Sequence, residues 1–307
     1  MIKSFKAVVL GLSRLLANVS VRSAQDFQKA LAAAQKGDYA AALREWRPLA
    51  DRGGVDAQFN LGVLYANGRG VAQDDKEAAR LFGLAAAQGH ADAQFNLGEM
   101  YDHGQGVTQD YKEAVRLYEL AAAQGHAKAQ SNLGLMYNNG QGVTQDYKEA
   151  ARLYALAAAQ GDVNAQSNLG VMYEKGQGVR QDHKEAVRLY GLAAEQGHAN
   201  AQYNLGVLYA NGRGVTQDYK EAARLFGLAA AQGHADAQFN LGLMYLNGQG
   251  VIQDNVYGHM WSNIAASSGH ASAAKNRDIV AGKMTAVDIS KAQGLARECV
   301  EKNYKGC

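Results

Sequence analysis

The stretch NGRGVTQDYKEAARLFGLAAAQGHADAQFNLG occupies residues 211–242. Residues 67–98 repeat it with two changes, Ala72 in place of Thr216 and Asp75 in place of Tyr219. Further copies fill residues 55–270 without a gap, as six repeats of 36 residues. The repeats begin at Val55, Ala91, Ala127, Val163, Ala199 and Ala235. A period of this length is typical of a solenoid, in which neighbouring repeats stack to bury a shared core.

The first half of each repeat predicts a helix. In the second repeat, Ala93, Leu97 and Tyr101 recur at a spacing of four residues and mark one stripe of a helix. Gly104 and Gly106 follow this stripe and should end the helix, because glycine readily adopts the backbone conformation found beyond a helix terminus.

The second half predicts another helix, which begins at a capping box. Asp110 stands three residues before Glu113, a spacing at which each side chain can bond the backbone amide of the other residue. Leu117 belongs to the buried stripe of this helix, and Gly125 fits the left-handed residue after its last turn. Five repeats keep the acidic pair: Asp74 with Glu77, Asp110 with Glu113, Asp146 with Glu149, Asp182 with Glu185 and Asp218 with Glu221.

The flanks of the array predict capping helices, over residues 24–54 and 271–307. Residues 37–53, GDYAAALREWRPLADRG, fit the second helix of a repeat, with Asp38 at the cap position. Residues 26–35 could supply the missing first helix. The sixth repeat itself departs from the pattern, with Trp261 where the others have leucine, and residues 285–302 predict a terminal helix.

Residues 1–23 resemble a degraded export signal. They contain four basic residues, no acidic residue and an apolar run over residues 7–16 that is too short to span a bilayer. Arg14 interrupts that run, so an amphipathic helix or a misassigned start is the alternative. We expect the protein to be periplasmic or otherwise exported, with a cytoplasmic location as the alternative. In an oxidising compartment Cys299 and Cys307 could form a disulfide, whereas in a cytosol they would stay free thiols.

The charge of the chain argues against nucleic-acid binding. The whole chain carries a formal charge of +2, and residues 1–23 contribute four positive charges, so the remainder carries 2 − 4 = −2. A body of this charge offers no electrostatic reason to bind a phosphate backbone.

The repeated words resemble a known family. Each repeat reads A-Q-x-N-L-G-x-[LM]-Y, then G-x-G-V-x-Q-D, then a run rich in alanine and leucine. This pattern is similar to the Sel-1-like repeat, a relative of the tetratricopeptide repeat. The resemblance implies an all-α fold, a right-handed superhelical solenoid of antiparallel helix pairs. It also implies a non-enzymatic adaptor that binds proteins and needs no cofactor.

A comparison among the six copies separates packing from binding positions. Residues present in every repeat, such as Leu61, Gly62 and Tyr65, should serve the stacking that all repeats share. The recurrent asparagine represented by Asn60 should form a structural hydrogen bond. The second, fifth, ninth, twelfth and thirteenth places of the repeat vary and lie on one face of its first helix. By resemblance to the tetratricopeptide solenoid, this face is concave.

We predict a protein-binding site on this face, with aromatic anchors at the fifth place and polar groups at the thirteenth. The alternative is that the fifth place packs against the next repeat. The predicted contact residues are Phe59, Asn67, Phe95, His103, Ser131, Asn139, Ser167, Lys175, Tyr203, Asn211, Phe239 and Asn247.

Three sequence patterns resemble metal, cofactor or catalytic sites, but each lacks a feature that such a site needs. Histidines end five repeats, but neighbouring repeats should lie about 10 Å apart, too far to share one metal ion, so we interpret them as turn residues. The glycine pairs lack the third glycine and the strand of a dinucleotide site. Residues 272–275, SAAK, match one motif of penicillin-interacting enzymes without its companions.

The sequence therefore predicts a monomeric, non-enzymatic scaffold that binds a partner protein or extended peptide in a concave groove. It predicts no metal site, no cofactor, no nucleic-acid partner and no transmembrane segment. Two other hypotheses stay open, a cell-envelope enzyme such as a β-lactam or peptidoglycan hydrolase, and a purely structural spacer.

Overall fold

The computed structural model describes residues 24–307. The predicted export signal, residues 1–23, lies outside this part. The described residues form sixteen helices and no strand, so the predicted all-α fold of stacked helix pairs is confirmed. The chain divides after Gln145 into two compact parts, which are described separately as the N-terminal half and the C-terminal half.

The N-terminal half holds seven helices and the C-terminal half holds nine. Those of the N-terminal half are α1 (24–35), α2 (Tyr39–Asp51), α3 (Val55–Asn67), α4 (Asp75–Ala87), α5 (Ala91–His103), α6 (Tyr111–Ala123) and α7 (Ala127–Asn139). Those of the C-terminal half are α8 (Tyr147–Ala159), α9 (Val163–Lys175), α10 (His183–Glu195), α11 (Ala199–Asn211), α12 (Tyr219–Ala230), α13 (Ala235–Asn247), α14 (Asn255–Ser267), α15 (Ala271–Ala281) and α16 (Ala286–Glu301).

Each repeat contributes an A helix followed by a B helix. The A helices are α3, α5, α7, α9, α11 and α13, and the B helices are α4, α6, α8, α10, α12 and α14. Within each half, consecutive helices pack against each other from α2 to α7 and from α8 to α15. An A helix ends at a glycine in the left-handed conformation, such as Gly104 with φ of 70°, as its sequence predicts.

The aspartate of the predicted capping box begins each B helix, but the glutamate does not complete the box. In α4, Asp74 accepts hydrogen bonds from the amides of Lys76 and Glu77 at 3.1 and 3.0 Å. The Glu77 carboxylate instead accepts two bonds from Arg80, at 2.7 and 2.6 Å. The amide of Asp74 donates to the carbonyl of Tyr65 at 3.0 Å. Because the last turn of the A helix supplies an acceptor, the glutamate is left to pair with an arginine one turn away.

Glycines allow close approach both between the two helices of a repeat and between successive repeats. A methyl group on Gly98, in α5, would lie 2.8 Å from the ring of Tyr118, which confirms the packing role predicted for this place. Gly178 follows α9 with φ of 70°, and a methyl group there would lie 2.0 Å from the carbonyl oxygen of Tyr147. This glycine therefore meets two requirements at once, a left-handed backbone and contact with the main chain of the preceding repeat.

The last helices pack against the sixth repeat. Both α15 and α16 contact α14, whose Trp261 is buried. Cys299, on α16, forms a disulfide with Cys307. Within residues 24–307 no helix is both long enough and apolar enough to cross a membrane.

Candidate protein-binding face

The fifth place of the repeat packs against a histidine. The ring of Phe95 stacks on His126 with centroids 4.6 Å apart, and it also contacts Tyr118 at 5.9 Å. Three more repeats form the same stack: Phe59 on His90 at 4.5 Å, Tyr203 on His234 at 4.6 Å and Phe239 on His270 at 4.6 Å. The packing alternative therefore describes this place better than the anchor hypothesis does.

Burial decides which fifth-place residues a partner could reach. Phe95 is only 7% exposed, and Ser131 and Ser167 are 5% and 4% exposed, so these three residues are corrected from surface contacts to packing residues. Phe59, Tyr203 and Phe239 stay partly exposed.

The histidines that end the repeats begin the next A helix. Nδ1 of His90 accepts a hydrogen bond from the amide of Ala93 at 3.2 Å, so the ring acts as the N-terminal cap of α5. Nε2 of the same ring faces Asp56 at 3.7 Å. The corresponding contacts are His126 with Asp92 at 3.1 Å and His270 with Asp236 at 3.2 Å. A cap of this kind needs the lone pair of Nδ1, and therefore a neutral ring.

His198 and His234 make the stability of the fold depend on pH. Burial lowers the pKa of both rings below the ordinary value of 6.5, and for His234 the charge of Asp236 opposes the shift. Protons therefore bind preferentially to the unfolded chain, and stability is lost as the pH falls below 6.5. We expect the free energy of unfolding to decrease between about pH 7 and about pH 5.

The chain supplies a matched control for this prediction. Asp162 stands where other repeats have histidine and caps α9 by accepting from the amide of Ala165 at 2.8 Å. Aspartate has an ordinary pKa of about 3.9, which lies below this pH range. The double variant His198→Asp, His234→Asp should therefore lose less stability on acidification, as measured by chemical denaturation at both pH values. An equal loss in the variant would contradict the role given to the histidines.

The twelfth place pairs with a residue of the B helix in the same repeat. The hydroxyl of Tyr190 donates to Glu174 at 2.8 Å. Burial, and to a lesser extent the charge of Glu174, raises the pKa of Tyr190. Where the B helix has phenylalanine instead, as at Phe82 and Phe226, the twelfth place is alanine. This joint variation is visible in the sequence, and it shows that part of the variability predicted to serve a partner serves internal packing.

The thirteenth place is exposed in all six repeats. Asn67 and Asn211 donate to the carbonyls of Val63 and Val207 in their own helices, at 2.7 and 2.8 Å, which leaves their amide oxygens to accept further bonds. The other residues at this place are His103, Asn139, Lys175 and Asn247. The place therefore forms a polar edge beside each A helix.

The ninth place lies on the same face and is apolar in five of the six repeats. Its residues are Val63, Glu99, Leu135, Val171, Val207 and Leu243. Leu135 is 44% exposed, and the others are partly exposed. In the C-terminal half, a cavity of about 280 Å³ opens between α11 and α13. It brings together Tyr203, Val207, Asn211 and Leu243, from the fifth, ninth and thirteenth places.

A glutamine pair in the first five repeats, whose first member is buried, was missed by the sequence interpretation. The Gln202 side chain is 4% exposed; its Nε2 donates to the carbonyl of Ala194 at 3.1 Å, and its Oε1 accepts from Gln232 at 2.8 Å. The sixth repeat has Ser268 in place of the second glutamine, and Oε1 of Gln238 is buried without a partner. The sequence does contain a signal for this pair, because each of the other five repeats has two glutamines 30 residues apart.

Comparisons with known proteins agree with this architecture. The family model described as Sel1 repeat matches six times, at residues 55–90, 91–126, 127–162, 163–198, 199–234 and 235–270. The chain is similar to a crystal structure of a Sel1 repeat protein from Oxalobacter formigenes, with 32% identity, a TM-score of 0.71, and coverage of 78% of this chain and 96% of that one.

A second solved structure is a protective antigen of uropathogenic Escherichia coli strains that displays an SLR fold. It shares 26% identity over 94% of this chain and 87% of the antigen, with a TM-score of 0.52. A search of curated proteins gives no significant match. With its six matched repeats covering most of its length, the chain belongs to the Sel1 repeat family.

Proposed function

We propose that this chain is a protein-binding scaffold without catalytic activity, and that the exposed face of its A helices holds an extended segment of a partner protein. Sel1 repeat proteins generally serve as protein interaction scaffolds. The observation that carries the proposal is that the ninth and thirteenth places differ between repeats and keep exposed surface, even where the side chain also packs on the core or bonds its own helix. Variable residues that keep exposed surface are those available to select a ligand.

The chemistry of the two places suits a peptide ligand. Apolar side chains at the ninth place would bury side chains of the partner, and asparagines at the thirteenth could bond its backbone. An apolar centre with a polar rim is the usual composition of a protein interface. The proposed contacts are accordingly Asn67, His103, Asn139, Lys175, Asn211 and Asn247, with the ninth-place residues and the exposed edges of Phe59, Tyr203 and Phe239.

Two leucines of the A-helix face provide a test. Leu135→Ser with Leu243→Ser removes apolar surface at the ninth place in both halves. We expect this double variant to bind a purified partner about tenfold more weakly, the effect of losing a modest interface contact. The partner would be obtained by affinity capture from the source organism and identified by mass spectrometry.

The control is a double variant on the B helices. Leu120 and Leu228 are each 41% exposed, against 44% for Leu135, so Leu120→Ser with Leu228→Ser removes similar exposed surface elsewhere. This control should retain full binding. If both double variants bind as well as the wild type, or if only the B-helix variant is impaired, the proposed face is wrong.

We further propose that the protein is exported and that residues 24–54 and 271–307 cap the array. The Cys299–Cys307 disulfide supports export, because such bonds persist in oxidising compartments. Terminal sequencing of the native protein should find a start near Ala24 or Gln25. An intact Met1 would contradict the export proposal.

A further inference from the structure

We infer that the A-helix face of the N-terminal half selects a partner segment in which a basic side chain is flanked, three residues away on each side, by apolar side chains. The inference rests on the proposed function and names the chemistry of the ligand. It is carried by one residue, Glu99, and by the surroundings of its carboxylate on α5.

Glu99 breaks an otherwise apolar set. The ninth place is valine or leucine in the other five repeats, and only the second repeat has a carboxylate there. The Glu99 side chain is half-buried and forms no hydrogen bond or ion pair with the described residues. Burial raises the pKa of Glu99, which the charges of His103 and Lys128 only partly oppose. A half-buried carboxylate without a partner is a position at which a cation from a ligand would be favourable.

The charged groups around Glu99 leave this position open. Lys128 lies at the exposed start of α7 and is outside ion-pair distance of Glu99. His103 uses Nδ1 against the carbonyl of Glu99, at 2.9 Å, rather than against its carboxylate. Asp102 adds a second negative charge nearby. The local field is therefore complementary to a lysine or arginine side chain.

The neighbouring ninth places set the spacing. Val63 on α3 and Leu135 on α7 stand at the same place in the first and third repeats, and Leu135 is 44% exposed. Successive A helices should lie about 10 Å apart. In the polyproline II conformation an extended chain has three residues per turn and rises about 3.1 Å per residue, so side chains three residues apart lie on one face about 9 Å from each other. A segment that crosses the three helices would thus present an apolar, a basic and an apolar side chain at intervals of three residues.

The test begins with a random dodecapeptide library displayed on phage and selected against the full-length wild-type protein. We expect enrichment of lysine or arginine with apolar residues three positions away on both sides. One selected peptide is then synthesised with a fluorescent label, and its Kd is measured by anisotropy.

Glu99→Leu is the diagnostic variant, because the third repeat has leucine at this place and the fold accepts it. We expect the peptide to bind this variant about tenfold more weakly than the wild type. A second peptide with leucine in place of its basic residue should show the opposite preference. The control is Glu119→Ala, which removes the same charge from the exposed surface of α6 and copies Ala155 of the third repeat. It should leave the Kd unchanged.

The outcomes separate this inference from the proposed function. The inference is overturned, while the proposed function stands, by either of two results. The selected peptides depend on Leu135 but lack a basic residue, or they bind Glu99→Leu as tightly as the wild type. Equal weakening by Glu119→Ala also overturns it, since the effect would then reflect net charge. If no selected peptide loses affinity for Leu135→Ser, the A-helix face of this half does not bind peptides and the proposed function fails with it.

Discussion

Replacing Gly178 by alanine should destabilise the protein by about 3 to 4 kcal/mol, the combined effect of a left-handed residue with a side chain and a clash with the main chain. The φ of this residue is 70°, and the new methyl group would lie 2.0 Å from the carbonyl oxygen of Tyr147. Because that oxygen belongs to the backbone at the start of α8, no side-chain rotation can relieve the overlap. Chemical denaturation followed by circular dichroism would measure the change.

Gly197 provides the matched control in the same half of the chain. Its φ is 87°, and a methyl group there would meet nothing within 4 Å. Gly197→Ala should therefore lose only about 1 kcal/mol of stability, the cost of placing alanine in a left-handed conformation. If the two alanine variants lose the same stability, the contact between successive repeats at Gly178 is not as tight as described.

The second large effect is expected at the buried glutamine of the pair. Gln202→Met keeps the length of the side chain but removes its hydrogen bonds with the carbonyl of Ala194 and the amide of Gln232, each of which keeps one other partner, so we expect a loss of about 1 to 2 kcal/mol. The same substitution at Gln293, exposed on α16, should change stability little. Chemical denaturation of both variants makes the comparison.

The sixth repeat offers the reverse experiment. Ser268→Gln would restore the donor that Oε1 of Gln238 lacks, and we expect a gain of about 1 kcal/mol, the net value of a typical hydrogen bond. A loss of stability would mean that the end of α14 cannot place a glutamine as the other B helices do.

The helix pairs could be predicted from the sequence because their signals are local and repeated six times. Asp110 at the start of α6 and Gly104 at the end of α5 are ordinary terminus residues, and both stand where predicted. His90 was harder to interpret, because histidine is not among the usual N-terminal caps. The prediction that Glu77 bonds the amide of Asp74 was wrong, because that amide donates to the carbonyl of Tyr65. This contact with the preceding helix cannot be recognised from local spacing.

The binding face was only partly predictable because variation among copies has two causes. Glu174 varies together with Tyr190, and Asp92 and Phe95 both contact His126, so these differences reflect internal pairs. Glu99 varies without such a pair. Comparing single places across repeats cannot distinguish the two cases, whereas comparing pairs of places can.

The variable pairs have one further property, which is that both members fall inside the same 36-residue repeat. Asp92, Phe95 and His126 all lie within residues 91–126, and Glu174 and Tyr190 within residues 163–198. Contacts that cross to the previous repeat instead involve main-chain atoms, such as the carbonyl that Gly178 approaches, or the asparagine shared by all repeats, as where Asn132 donates to the Tyr118 hydroxyl at 3.3 Å.

An unequal genetic crossover in this frame would therefore deliver every such pair complete. The first and fifth repeats differ at five of 36 places, as expected of a recent copy made in this way. The gene can change length one repeat at a time without a compensating mutation elsewhere, so relatives of different lengths should retain the same pairs.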